Sequence, residues 1–117
     1  VFITMQTPRL HYFNDLADGD QSFVIEITML LKKEFPKDLK LFHKRMQEND
    51  LIGVASSIHK IKYKFGLLGL EEDVIIASKF EKEIKKGSKE LLVKFEEILL
   101  KIDQYLQNTL SDQSEIT

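Results

Sequence analysis

The sequence predicts an all-α fold: an up-down-up-down antiparallel four-helix bundle with a short N-terminal helix packed at one end. Only 2 prolines and 5 glycines interrupt the 117 residues, and between them apolar residues recur at three- and four-residue intervals instead of alternating. The predicted connections between the helices are only a few residues long, so consecutive helices must lie antiparallel. With 43% hydrophobic residues, the chain can bury a core. We expect one domain over 1–117, with its core at about 10–110 and a polar, frayed tail at 111–117.

The first predicted helices end at recognisable stop signals. Leu10 to Leu16 forms a short segment that ends at Asp18-Gly19-Asp20, where glycine terminates one helix and Asp20 caps the next. The second helix covers Gln21 to Phe35 and ends at Pro36, because proline lacks the N–H that a helix interior needs. Pro36 then opens a third helix, from about Lys37 to Glu48.

The later helices are predicted at about Leu51 to Gly66, Glu71 to Lys86 and Lys89 to Leu110, with Gly87-Ser88 between the last two. The predicted core of these last two helices consists of Phe80, Ile84, Phe95, Ile98, Leu99 and Ile102. The charged stretch Lys79 to Lys86, which includes Glu81, is interpreted as a solvated outer face with no chemistry.

Composition excludes several classes of function. Lys plus Arg number 17 and Asp plus Glu number 19, a net charge of −2, so the chain lacks the basic excess that nucleic acid favours. Cys is absent, which removes disulfides, thiolate zinc sites and thiol nucleophiles and is compatible with the cytoplasm. No apolar run approaches the roughly 20 residues that cross a bilayer, and no face concentrates Lys with exposed aromatics. We therefore expect no nucleic-acid partner and no membrane insertion.

Conventional enzyme motifs are also missing from the sequence. None of the 3 histidines, His11, His43 and His59, has a Glu three residues before it, as a di-iron bundle needs. No glycine-rich phosphate loop follows a strand, and there is no nucleophile elbow. His43 belongs to a basic run that is interpreted as a solvated face, and His11 is expected to pack in the first segment. We expect no metal and no intrinsic cofactor.

His59 is predicted to be exposed in the middle of its helix. Successive helical residues are about 100° apart. The buried stripe of this helix, at roughly 200° to 260° from His59, consists of Val54, Ile58, Ile61 and Phe65. The imidazole therefore points about 130° away from the centre of that stripe.

The same geometry predicts which residues share the face of His59. Within about 60° of it lie Ile52, Ala55, Ser56, Lys62, Tyr63 and Gly66. Lys62 is one turn after His59, and Lys60 and Lys64 flank it, so a phosphoryl group on the ring would meet a positive field. A neutral imidazole, with an unperturbed pKa of about 6.5, is a competent nucleophile. A glycine at position 66 has three explanations: the close approach of a partner, close packing within the protein, or the end of the helix.

The stretch from His59 to Leu70, HKIKYKFGLLGL, resembles the signature of histidine-containing phosphotransfer (HPt) domains. The matching positions are His59, Ile61, Lys62, Leu68 and Gly69, with Gly66 at a common small position. The resemblance extends over roughly Leu10 to Leu110, because the acidic turn at 18–20, the Phe35-Pro36 break and Asn49-Asp50 fall where the family places them.

This resemblance implies a phosphorelay intermediate. His59 would accept a phosphoryl group from the phospho-aspartate of a receiver domain, in a response regulator or a hybrid sensor histidine kinase, and pass it to another receiver. Lys62 would stabilise the phosphoryl oxygens, and Ile61, Leu68 and Gly69 would be structural. The implied partner-binding residues are Ile52, Ala55, Ser56, Lys60, Tyr63, Lys64 and Gly66. The receiver would supply Mg²⁺, so we expect a cytoplasmic monomer that is not an enzyme and does not phosphorylate itself from ATP.

Tyr63 departs from the family pattern, which places a small residue four positions after the histidine. It lies about 40° from His59 and can crowd the docking surface. Two hypotheses follow: Tyr63 selects a receiver by stacking on its surface, or it hinders phosphotransfer. We favour selection, because His59 and Lys62 are both present. The alternative function is a non-catalytic helical adaptor that binds a signalling partner through the same face, with phosphotransfer slow or lost because of Tyr63.

Overall fold

The computed structural model describes residue 8 and residues 21–116, with side chains described for residues 8 and 22–108. These residues form four helices and no strand: α1 Gln21–Gln47, α2 Leu51–Leu67, α3 Glu71–Lys85 and α4 Leu92–Ile116. The predicted all-helical fold is therefore confirmed. The short helix predicted at Leu10 to Leu16, with His11, and the turn at 18–20 lie outside the described residues.

Helix α1 continues through Pro36, so the break predicted there is wrong. An interior proline removes one backbone hydrogen bond and costs about 3 kcal/mol. Phe35 and Phe42, which lie on either side of Pro36, are both 0% exposed, and they bury one continuous stripe of the helix. The Pro36 ring itself lies on the exposed side. The free energy gained by burying Phe35 and Phe42 therefore outweighs the local cost of the proline.

A capped turn joins α1 to α2. Asn49 adopts the left-handed conformation, with φ 55°, and Asp50 then caps α2 by accepting a hydrogen bond from the Gly53 backbone N–H at 3.0 Å. A Cβ at Gly53 would collide with the Asp50 carboxylate and lie 3.0 Å from Arg45 Cδ. Glycine is therefore needed at this position to keep both the cap and the close approach of α1.

Helix α3 carries three acidic residues in its first turn and Lys82 and Lys85 near its end, as the helix dipole favours. After it, Gly87 has φ 90°, and the Ser88 hydroxyl accepts from the Glu90 N–H at 3.4 Å. Residues 86–91 lie between α3 and α4, so α4 begins at Leu92 and not at Lys89. It continues past the predicted end at Leu110 to Ile116.

The helices pack in a closed cycle, in which α2 and α4 each contact both α1 and α3. One phenylalanine from each helix meets at the centre. The ring centroid of Phe95 lies 5.2 Å from that of Phe42, 5.8 Å from that of Phe65 and 5.2 Å from that of Phe80. All six core residues predicted on α3 and α4 are buried. This cluster joins the four helices into one core.

Two ion pairs, one buried and one partly buried, connect neighbouring helices. Lys64 on α2 binds Asp38 on α1, and Lys101 on α4 lies 2.6 Å from Asp73 on α3. Buried charges are tolerated only with a close partner, so each pair favours one register between its two helices.

Among the described residues, no helix combines the length and the apolar character needed to cross a bilayer.

Candidate functional site

His59 projects from the middle of α2 into solvent. Its side chain is 70% exposed, as its helical position predicts. The stripe on the opposite side of the helix is completely buried, and consists of Val54, Ile58, Ile61 and Phe65. The imidazole is therefore an accessible group on a backbone that the core holds in place.

Glu81 of α3 binds one edge of the imidazole. Its Oε2 lies 3.2 Å from His59 Nδ1, and only 15% of the Glu81 side chain is exposed. A carboxylate accepts hydrogen bonds, so this contact favours the tautomer in which Nδ1 carries the proton and donates it. The lone pair of the neutral ring then lies on Nε2, the nitrogen that Glu81 does not contact.

Lys62 binds the same carboxylate. Its Nζ lies 2.8 Å from Glu81 Oε1 and 3.3 Å from Ser78 Oγ, and 23% of its side chain is exposed. Burial alone would raise the pKa of Glu81, but the hydrogen bonds and charges of Lys62 and His59 outweigh it and lower that pKa. Glu81 is therefore ionised at neutral pH and holds both side chains.

The interpretation of Glu81 as part of a solvated face is wrong, because the structure places it under His59 and Lys62. The residue pattern of α3 alone does not predict this role for Glu81. The contact joins residues 22 positions apart in the chain and depends on how α2 and α3 pack. The contact between Ser78 and Lys62 could not be predicted from the sequence for the same reason.

Two lysines lie on the α1 side of His59, and their environments differ. Lys60 is 67% exposed, with its Nζ 3.4 Å from Asp38 Oδ1. The Lys64 side chain is only 8% exposed and binds both Asp38 and Glu34. The Lys64 ammonium is therefore held between α1 and α2, and its contact with a partner stays a prediction.

Ala55 does not lie on the exposed face of α2, where the helical projection places it. It is 1% exposed and cannot contact a partner directly. The prediction assumed that α2 buries one stripe, whereas α2 packs against both α1 and α3, which cover both flanks of the stripe. A Cβ on Gly66 would meet only Val74 of α3, at the ordinary contact distance of 4.0 Å, so helix packing does not require glycine at this position.

What remains open on α2 is a narrow strip along the helix, here called the His59 strip. It consists of Ile52, Ser56, His59, Lys60 and Tyr63. Ile52 is 71% exposed and Tyr63 is 73% exposed. The strip therefore places an apolar and an aromatic side chain on either side of the imidazole along the helix.

The remaining residues of the signature lie beneath the strip or in the turn after it. Ile61 and Leu68 are 0% exposed. Gly69 has φ 74°, a conformation that other residues rarely adopt, and its N–H bonds to the Gly66 carbonyl at 3.1 Å. These residues shape the turn that leads from α2 into α3, the helix that carries Glu81.

His43 has a different setting from His59. Its Nε2 lies 3.5 Å from Glu96 Oε2, and its side chain is 52% exposed. Its ring also packs at an angle of 66° against the core residue Phe42. This residue provides a matched control for experiments on His59.

No protein-family model, curated protein or solved structure significantly matches the chain. Within the part of the chain that the structure describes, no three or more His, Asp or Glu side chains are grouped to hold a metal ion.

Proposed function

We propose that this protein is a phosphorelay intermediate of the histidine-containing phosphotransfer type, with His59 as the phosphoryl acceptor. The main observation behind the proposal is that Glu81 binds one nitrogen of the imidazole while the other remains accessible. Glu81 engages Nδ1 at 3.2 Å, while the rest of a 70% exposed ring faces solvent. A histidine held this way has a nucleophilic nitrogen that another protein can reach.

The proposed transfer uses both nitrogens of the ring. The Nε2 lone pair attacks the phosphorus of a phospho-aspartate on a receiver domain. The Nε2–P bond forms as the bond from phosphorus to the carboxylate oxygen breaks, and the aspartate leaves as a carboxylate. The ring becomes positively charged, and Glu81 stabilises that charge through Nδ1–H. Transfer to a second receiver reverses these steps.

The receiver completes the site in this proposal. It supplies the acidic residues and the Mg²⁺ that neutralise the transferring phosphoryl group, so this chain contributes no nucleotide site and does not phosphorylate itself from ATP. Its partners are receivers of response regulators or of hybrid sensor histidine kinases. We place it in the cytoplasm as a monomer, with its helices in the up-down-up-down arrangement and the short N-terminal helix at one end.

The His59 strip is the proposed docking surface. Ile52 and Tyr63 are the large side chains that stand out from it on either side of His59. We favour a role for Tyr63 in selecting the receiver, because Tyr63 leaves the imidazole exposed. In a comparison of several receivers, Tyr63→Gly should change their relative binding and transfer rates. A variant with unchanged transfer and unchanged binding to every receiver would contradict both a selecting and a hindering role for Tyr63.

The proposed function is tested by transfer from phosphorylated receivers. The purified protein is incubated with each receiver, and phosphate that is labile in acid and stable in base is then measured. We expect label on the wild type and on His43→Gln, a matched exposed histidine, and none on His59→Gln. A folded protein that takes no label from any receiver, or an equally labelled His59→Gln, would contradict the proposal.

A non-catalytic adaptor is the second candidate, and the exposed Ile52 and Tyr63 support it. Two such side chains at 71% and 73% exposure can bind a partner without any chemistry at His59. The adaptor predicts that His59→Ala keeps both partner binding and signalling output, whereas the relay predicts that binding persists and output is lost.

A further inference from the structure

The phosphoryl group on His59 would point away from Lys62. In an imidazole, the two nitrogens lie on diverging edges of the ring, so a hydrogen bond from Nδ1 directs the lone pair of Nε2 away from the acceptor. Glu81 accepts from Nδ1 at 3.2 Å and also binds the Lys62 ammonium at 2.8 Å. Lys62 therefore lies on the Nδ1 side of the ring.

Lys62 is also held firmly where it is. Its Nζ has both the Glu81 carboxylate and the Ser78 hydroxyl as partners. Moving Lys62 to a phosphoryl group would break its contacts with the Glu81 carboxylate, which is 15% exposed, and with the Ser78 hydroxyl. Separating a poorly solvated carboxylate from one of its two positively charged partners is costly, so these contacts oppose such a movement.

An open pocket lies between α1 and α2 beside His59, and its lining includes Lys60, Tyr63 and Lys64 together with Glu34 of α1. Lys64 and Glu34 form an ion pair within this lining. Lys60 is the more available cation, because it is 67% exposed and lies 3.4 Å from Asp38. If Lys60 swings away, Asp38 keeps its buried partner Lys64.

The geometry points to Lys60 as the residue that binds the phosphoryl oxygens on His59, with Lys62 acting instead as the positioning residue for Glu81. The inference rests on the phosphoryl-carrying role proposed above. It reverses the role that the resemblance implies for Lys62 and assigns chemistry to a lysine expected only to contact a partner. The phosphoryl group would lie at the pocket shared by His59 and Lys60, on the side of the ring that Glu81 leaves free.

Chemical phosphorylation tests this inference without a partner protein. Phosphoramidate transfers its phosphoryl group to histidine: the Nε2–P bond forms, the P–N bond of the reagent breaks, and ammonia leaves. The ³¹P resonance of phospho-His59 is assigned by its absence in His59→Gln, and its chemical shift is followed against pH. The variants are Lys60→Gln, Lys60→Arg, Lys62→Gln and, as an exposed control on α3, Lys79→Gln.

We expect Lys60→Gln to raise the pKa of the phosphoryl group, because a nearby cation favours the more highly charged form. Lys60→Arg should restore the wild-type titration, while Lys62→Gln and Lys79→Gln should leave it nearly unchanged. Labelling of Lys60→Gln should also slow by up to about fivefold, the factor for one exposed ion pair.

A larger effect from Lys62→Gln than from Lys60→Gln would overturn the inference, as would phosphorylation at Nδ1 or the absence of label on His59. The comparison of Lys60→Gln with Lys60→Arg decides the question even if Lys62→Gln does not fold. Because the reagent replaces the receiver, this experiment distinguishes failure of the inference from failure of the proposed function. If no receiver transferred its phosphoryl group to His59, the proposed function would be contradicted, while the effect of Lys60 on the phosphoryl pKa could still be measured.

Discussion

The Glu81 carboxylate connects two side chains that the sequence places on one helix. It accepts from His59 through Oε2 and from Lys62 through Oε1. A neutral amide at this position would keep the shape of the side chain but lose the negative charge. The Glu81→Gln substitution therefore separates the electrostatic role of this residue from its packing.

Glu81→Gln is expected to slow phosphoryl transfer to His59 by about 10- to 100-fold, because the ring loses the anion that fixes its tautomer and stabilises its positive charge. The measurement is the rate of label transfer from a phosphorylated receiver at saturating protein. Glu97→Gln on the exposed surface of α4 is the matched control and should transfer at the wild-type rate. Equal rates for wild type and Glu81→Gln would show that the carboxylate does not assist the reaction.

The stability of the fold should depend on pH through the same residue. The pKa of Glu81 is lowered in the folded protein, so its ionised form stabilises the fold above the ordinary carboxyl pKa. That contribution is lost as the pH falls through the lowered pKa. The unfolding free energies of wild type and Glu81→Gln, from urea titrations, should differ at about pH 7, and the difference should shrink as the pH falls below the ordinary carboxyl pKa. A difference that is constant with pH would contradict this assignment.

At this scale the sequence predicts the exposed histidine but not its partners. One helical projection correctly separates His59 from its buried stripe, because both belong to α2. It errs for Ala55, since a neighbouring helix covers the flank on which this residue lies. Glu81 and Asp38 come from α3 and α1, so their contacts follow only from the packed structure.

At the scale of the helices, end signals succeed where the local chain decides the outcome. The Asp50 cap and the Gly69 turn set the limits of α2 within one residue of the prediction. Pro36 is the exception, because burial of Phe35 and Phe42 continues α1 through it. Helix α4 also begins later than predicted, because the turn after Gly87 extends to Leu91. Local signals therefore predict a helix end only where tertiary packing does not oppose them.

Pro36→Ala is expected to stabilise the protein by about 1–3 kcal/mol, because alanine restores the missing N–H and removes the ring from the α1 interior. The measurement is the free energy of unfolding by urea. Lys37→Ala, an exposed change at the next position of the same helix, should have an effect within about 0.5 kcal/mol. Destabilisation by Pro36→Ala would mean that Phe35 and Phe42 need the backbone geometry that proline imposes.

For the whole molecule, Phe95 has a special place because its ring contacts a phenylalanine of each other helix. Phe95→Ala is expected to destabilise the protein by about 3–5 kcal/mol, since it leaves a cavity that three helices border. The change is measured by urea unfolding against Leu100→Ala, a residue of the same helix that is 58% exposed. The control should change stability by less than about 0.5 kcal/mol. Similar losses for the two variants would contradict a central role for the cluster.

The phenylalanine cluster also determines how the surface around His59 can move. Phe65 lies in the same helix as the imidazole, and its ring contacts the central Phe95, so α2 cannot leave its neighbours without opening the core. Backbone amides of α2 should then exchange with solvent only through global unfolding, at rates that follow overall stability. Under the proposed function, the His59 strip would therefore meet a receiver as a rigid template, and any conformational adjustment on docking would occur in the receiver.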